Sequence, residues 1–189
     1  MLYRLLFLLF LSALVSCSKG NSDSLFTKLD ASQTGIDFKN EVKNGENMNI
    51  FKYRNFYNGG GVAIGDINND GLADVFFISN QGANKLYLNK GNFKFDDISV
   101  TSGVQGKKAW STGVVMVDIN GDGFLDIYVL DAGNNIDAIR RSQLYINNKN
   151  NTFTEKAAEY NLADTGITTH AAFFDYDKDG DLDCYILNN

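Results

Sequence analysis

The sequence is poor in the side chains that most often carry catalysis near neutral pH: it has one histidine, His170, and two cysteines, Cys17 and Cys184. A cysteine–histidine couple of compatible exposure, a Gly-x-Ser-x-Gly elbow and a phosphate-cradling glycine loop are all missing. Positive charge is also scarce, with 17 lysines and arginines against 23 acids and a formal net charge of −6 at pH 7. No basic stripe is available to neutralise phosphates, which argues against a nucleic-acid partner. The apolar run at residues 5–15 has 11 residues, too few for a bilayer span of about 20. A carboxylate pair for glycoside chemistry is left open by these absences. Yet 11 of the 23 acids fall in three short loops that suggest another purpose.

Those loops are what the chain has in abundance. Asp66-Ile67-Asn68-Asn69-Asp70-Gly71-Leu72-Ala73-Asp74 recurs as Asp118-Ile119-Asn120-Gly121-Asp122-Gly123-Phe124-Leu125-Asp126 and as Asp175-Tyr176-Asp177-Lys178-Asp179-Gly180-Asp181-Leu182-Asp183. Oxygen-bearing side chains at positions 1, 3, 5 and 9, glycine at 6 and a free carbonyl at 7 describe a calcium loop, hard ligands on a turn that needs glycine's freedom. The expected ligands are Asp66, Asn68, Asp70, the Leu72 carbonyl and Asp74; Asp118, Asn120, Asp122, the Phe124 carbonyl and Asp126; and Asp175, Asp177, Asp179, the Asp181 carbonyl and Asp183. Up to three Ca²⁺ ions are implied. The alternative, turns in which Asp and Asn make only local hydrogen bonds, leaves converging carboxylates to repel one another. An EF-hand is excluded, because position 12 holds Phe77, Val129 and Ile186 where that loop needs a bidentate glutamate.

The repeat extends beyond the loops. Before each runs a short apolar stretch, at Val62, Val114 and Ala171, that suits a strand buried on both faces; after each comes a second, led by Val75, Ile127 and Cys184 and rich in β-branched and aromatic residues. Cys184 thus stands where Val75 and Ile127 stand, as a small buried hydrophobe. Third strands follow at Leu86-Tyr87-Leu88-Asn89 and Leu144-Tyr145-Ile146-Asn147, and fourth strands begin at Phe93 and Phe153. Four short antiparallel strands at a spacing of 52 residues (Asp66 to Asp118) and 57 (Asp118 to Asp175) fit one propeller blade each. The extra length of the second copy lies in a loop carrying Arg140 and Arg141, read as solvated.

Residues 1–17 read as an export signal, with Arg4 ahead of the apolar run. Leu14-Val15-Ser16-Cys17 resembles a bacterial lipobox, which implies cleavage before Cys17, lipid on its thiol and a flexible tether over residues 18–25. The other reading is an ordinary secretory signal; either way the mature chain is exported. Residues 26–38 are expected to form an orphan outer strand, since Phe26-Thr27-Lys28-Leu29 is similar to Phe153-Thr154-Glu155-Lys156. With blades at 59–100 and 110–160 and a partial blade at 167–189, residues 26–189 make an incomplete ring, so the chain is expected to be the N-terminal part of a longer protein.

The glycine-led run from Gly59 to Asp74, the Leu-Tyr-x-Asn strands and the run from Thr169 to Asp183 resemble FG-GAP/VCBS-repeat proteins, and more narrowly the exported Bacteroidetes lipoproteins that end in an ASPIC/UnbV domain. The resemblance covers roughly residues 24–189 and implies an all-β, integrin-α-like β-propeller with structural calcium. Five strand residues at about 3.3 Å each put the residues ahead of the first strand on the face away from the loops. Trp110, Thr112, Thr169 and His170 stand there as a candidate ligand face; packing of Trp110 between blades and capping by His170 is the competing reading. The expected function is a calcium-stabilised, non-catalytic binding module, lipid-anchored at the outer membrane and facing the cell surface, with a glycan or protein ligand. The alternatives are the propeller of a calcium-dependent polysaccharide-acting enzyme whose catalytic region lies elsewhere, and a scaffold presenting a C-terminal domain.

Overall fold

The computed structural model describes residues 25–107, 110–132 and 140–189. The chain divides into two units, Met1–Asp30 and Ala31–Asn189. Of the first, the described residues 25–30 are exposed and form neither helix nor strand. The second is nearly all β. Strands β1 (Val62–Gly65), β2 (Asp74–Phe77), β3 (Lys85–Asn89) and β4 (Phe95–Asp97) form one antiparallel sheet in chain order. A second such sheet follows from β5 (Ser111–Val117), β6 (Asp126–Asp131), β7 (Gln143–Asn147) and β8 (Phe153–Glu155), and β9 (Thr168–Phe174) pairs with β10 (Asp183–Asn188). Among the described residues no sheet closes on itself. The three loops join first strand to second in one register: Ile64 lies opposite Val75, Met116 opposite Ile127 and Phe173 opposite Cys184.

The core sits between sheets, and strand periodicity explains how. Alternate side chains leave opposite faces of a strand, so β6 sends Ile127 and Val129 toward Phe76 and Leu86 of the first sheet and the adjoining Ile78, and Tyr128 and Leu130 toward Ala171 and Phe173 of the last pair. Covered on both faces, all six residues of β6 are buried. Full burial of each such side chain contributes about 1.5–3 kcal/mol. In β2 only alternate residues are buried. Cys184 packs at the edge of the second cluster, and burial pushes its thiol up to about 11, which leaves it a poor nucleophile.

Polar bonds sew the sheets together where the apolar contacts stop. Asn147 Nδ2 donates to the Ile67 carbonyl at 2.8 Å, Asn69 Nδ2 to the Gly123 carbonyl at 2.9 Å, and Asn80 Nδ2 to the Ser111 carbonyl at 2.9 Å. Gly113 of β5 approaches the β9 backbone so closely that a Cβ there would stand 2.6 Å from the Thr169 oxygen.

Three expectations are corrected. The outer strand over residues 26–38 does not form: Ala31–Thr34 winds one helical turn, α1, and the chain then crosses the face of the first sheet. There Phe38 stacks on Phe77 at 4.9 Å and Asp37 accepts a hydrogen bond from the Tyr87 hydroxyl at 2.8 Å. Covering the aromatic face takes the place of backbone pairing. The first strands are not buried on both faces; Val62 and Ile64 of β1 are 53% and 66% exposed, because no described sheet covers them. The fourth strand starts at Phe95 rather than Phe93, since Asn92 and Phe93 turn through positive φ of 51° and 56°. A second helical turn, α2 (Ser99–Ser102), follows β4 unforeseen, its buried Ser99 hydroxyl accepting from the Leu86 N–H at 2.9 Å.

Candidate metal centres

Each loop is held by the same set of backbone donors. The first aspartate caps the turn: Asp66 Oδ2 accepts from the Gly71 N–H at 2.7 Å, Asp118 Oδ2 from Gly123 at 2.8 Å and Asp175 Oδ2 from Gly180 at 3.2 Å. The glycine at position 6 has φ of 84°, 86° and 99° in the three copies, a region that favours glycine. Position 4 is also left-handed, at Asn69, Gly121 and Lys178. The last aspartate closes the loop, with Asp74, Asp126 and Asp183 accepting from the N–H of Ile67, Ile119 and Tyr176 at 3.0, 3.1 and 2.8 Å. In the two complete sheets its other oxygen accepts from the third strand, from Asn89 N–H and Asn147 N–H at 2.7 Å each. The loop is thereby fastened to β3 or β7 as well as to its own hairpin.

These bonds fix the carboxylates in one orientation and bring their remaining lone pairs together. In the third loop, oxygens of Asp175, Asp177 and Asp183 lie within 4.8 Å of one another. Ligands 2.3–2.6 Å from a shared Ca²⁺ can stand no more than about 5 Å apart, so this spacing fits the ion. The first two loops have Asn68 and Asn120 at position 3, and each donates its amide to the position-5 carboxylate, at 3.1 and 3.0 Å. Asp74 and Asp126 are wholly buried; desolvation raises both above the usual carboxylate range against the pull of two N–H donors, and the neighbouring loop acids add to the rise. Asp181 is raised chiefly by the charge of Asp179. At Asp122 desolvation opposes the charge, but the Phe124 N–H, the Asn120 amide and Lys149 outweigh it and hold the carboxyl below its ordinary value.

A family model described as "FG-GAP-like repeat" matches residues 66–129 and 132–186, the first segment taking in the first two loops and the second ending just past the third. The chain belongs to the FG-GAP-like repeat family. Its FG-GAP sequence is also similar to cartilage acidic protein 1 of Xenopus tropicalis, 40% identical over 74 residues, and of Mus musculus and Homo sapiens, each 36% identical over 69 and 72 residues. These matches take in 36–39% of this chain and 11% of each relative, so the FG-GAP chain spans about a tenth of the length of the curated relatives it matches.

The proposed ligand face is partly dismantled by the structure. Trp110 is 5% exposed, packed under Tyr53 and Phe56 with ring centroids 5.6 and 5.1 Å away, so its ring is not offered to a ligand. It packs against the loop ahead of β1. The Thr112 hydroxyl donates to the Thr168 carbonyl at 2.6 Å and the Thr169 hydroxyl to the Leu187 carbonyl at 3.2 Å, which commits both to holding strands. His170 is exposed. Arg140 Nε donates to the Thr165 carbonyl at 2.7 Å. Cys17 lies outside the described residues, and no helix among those described is long and apolar enough to cross a membrane.

Two features were missed from the sequence. The asparagines of the Leu-Tyr-x-Asn strands, Asn89 and Asn147, are the residues to which the loops are tied; their recurrence at one offset was the available signal. The other is the loop ahead of β1. Asn49 locks it, donating to the Gly45 and Glu46 carbonyls and accepting from the N–H of Phe51 and Lys52. This loop holds Phe51 96% exposed beside Tyr57, along a cleft of about 520 Å³ that Asn44, Glu46 and Asn49 also line. Trp110, on which the loop rests, precedes β5, and Asp118 follows it; seven strand residues separate them by about 23 Å. The cleft therefore belongs to the end of the blades away from the acidic loops.

Proposed function

We propose that these blades are calcium-stapled and serve as a non-catalytic binding module of an exported, lipid-anchored protein at a bacterial cell surface, of the kind that ends in an ASPIC/UnbV domain. The observation that carries the reading is the threefold repetition of one loop, with the same two aspartates fixed by the same backbone donors and the second of them tied, in both complete sheets, to the third strand. Asp66, Asn68, Asp70 and Asp74, their counterparts in the other loops, and the carbonyls of Leu72, Phe124 and Asp181 would hold the ions. Calcium supplies charge neutralisation there and no chemistry. At ten times its dissociation constant each ion adds about 1.4 kcal/mol to the folded state, which describes a staple.

The ligand belongs on the far end, where His170 is exposed and Phe51 and Tyr57 flank the cleft. Exposed rings beside amide groups suit a glycan or a protein loop. The test uses the complete protein. Addition of a chelator is expected to lower its apparent melting temperature, and an unchanged melting curve would count against calcium. A glycan array and a panel of extracellular proteins are expected to give a ligand lost in Phe51→Ala with Tyr57→Ala; binding that survives both changes sinks the placement. Release of the protein from membranes on Cys17→Ser is the expected outcome for a lipid anchor.

A further inference from the structure

We propose that Lys149 is a built-in counter-cation that makes the second loop a weaker calcium site than the first, and less dependent on the ion for its shape. The inference rests on the calcium reading above. It comes from comparing one position in the two blades. Asn89 and Asn147 receive the same bond to the last loop aspartate, and each accepts, through Oδ1, from the N–H two residues on, at 2.8 Å in both. Those residues are Gly91, with φ 80°, and Lys149, with φ 63°. At this position both backbones are left-handed, and only the second blade places a cation there.

That side chain reaches back to the loop. Lys149 Nζ lies 3.4 Å from Asp122 Oδ2 and 5.3 Å from the centroid of the Phe124 ring. The two contacts bracket loop positions 5 and 7, both expected ligands. In the first blade position 7 is Leu72, and a Cβ built on Gly91 would meet only its Cδ1, at 4.0 Å. Space for a lysine exists there and is unused. Both loops carry three carboxylates and one asparagine at the ligand positions, and no described ion pair reaches the first. Lys149 therefore offsets part of the repulsion that an empty second loop would otherwise suffer. It also repels an incoming divalent ion: one positive charge about 6 Å from Ca²⁺ in a water-like dielectric weakens binding about tenfold. Because Lys149 is half exposed, added salt should shrink the effect.

The experiment is hydrogen–deuterium exchange, read by mass spectrometry on the complete protein at a series of buffered free calcium concentrations. Peptides over 118–126 are expected to reach half-protection at about tenfold higher calcium than those over 66–74, and to stay better protected under chelator. Lys149→Gly should lower the midpoint of the second loop about tenfold and leave the first in place. Gly91→Lys should raise the midpoint of the first loop by a similar factor. Calcium-dependent protection at both loops with midpoints that ignore both exchanges overturns the role of Lys149 and leaves the calcium reading standing. Loops that do not respond to calcium at all overturn both.

Discussion

Replacing Asp131 by asparagine isolates a carboxyl that burial sets against the fold. Asp131 ends β6 with none of its surface exposed. Its Oδ1 accepts from the Ser111 hydroxyl at 2.7 Å and its Oδ2 from Gln143 Nε2 at 3.1 Å, while Gln143 Oε1 accepts from the Tyr145 hydroxyl at 2.8 Å. Burial raises the Asp131 carboxyl to about 6; the bonds from Ser111 and Gln143 and the charge of Lys107 pull down without cancelling it. An unfolded aspartate titrates near 3.9, so between about pH 4 and 6 the folded chain holds the extra proton. Stability from this group therefore falls as pH rises through that window and is level above it. Two units of difference amount to about 3 kcal/mol against the fold at pH 7. Asp131→Asn keeps the shape without the charge: Ser111 can still donate to the amide oxygen, and a turned Gln143 amide can accept from the new NH₂ and donate to Tyr145. Urea unfolding from pH 4 to 8, taken as wild type minus variant, should show a slope confined to pH 4–6. The variant should be more stable at pH 7 by up to about 3 kcal/mol and nearly equal at pH 4. Parallel pH profiles, or a variant weaker at pH 7, would refute the argument.

The remaining predictions concern contacts between sheets. Gly113→Ala should cost about 1–3 kcal/mol, because the new methyl meets a backbone oxygen; Gly65→Ala should cost less, since its nearest obstacle is the flexible end of Leu125 at 2.5 Å. Chemical denaturation ranks the two, and equal losses would discredit the distinction. Asn147→Ala strips donors from the buried Ile67 carbonyl and from the Leu125 carbonyl and should cost about 2 kcal/mol, more than Asn89→Ala, whose amide donates to the Ala73 carbonyl at an exposed site. Trp110 Nε1 is buried with no hydrogen-bond partner among the described residues, so Trp110→Phe should leave the melting temperature unchanged or higher, whereas Trp110→Ala should cost about 3–5 kcal/mol. A large loss on Trp110→Phe would point to a partner for the indole N–H.

The strands and loops were legible because their causes are local. Four-residue apolar runs bounded by fixed acids and glycines leave few choices of backbone, and nine-residue loops of one pattern impose one register, which put Cys184 opposite Phe173 just as Val75 stands opposite Ile64. What was illegible depends on distant partners. Four residues at 26–29 look like those at 153–156, but likeness does not supply an edge to pair with, and Phe38 finds more to bury on Phe77. Trp110 is hidden by Tyr53 and Phe56, more than 50 positions away. Lys149 belongs to a turn between third and fourth strands, and only the folded hairpin carries it over Phe124.

The bonds from Asn147 to Ile67 and from Asn69 to Gly123 run between neighbouring sheets at the loop end. They make the blades a short linear array, in which each unit's stability is its own term plus one for each neighbour. A defect in one unit is passed to the next and fades with distance. The sheet of β5 to β8 has a described neighbour on each side, and so it is the unit whose failure would propagate in both directions.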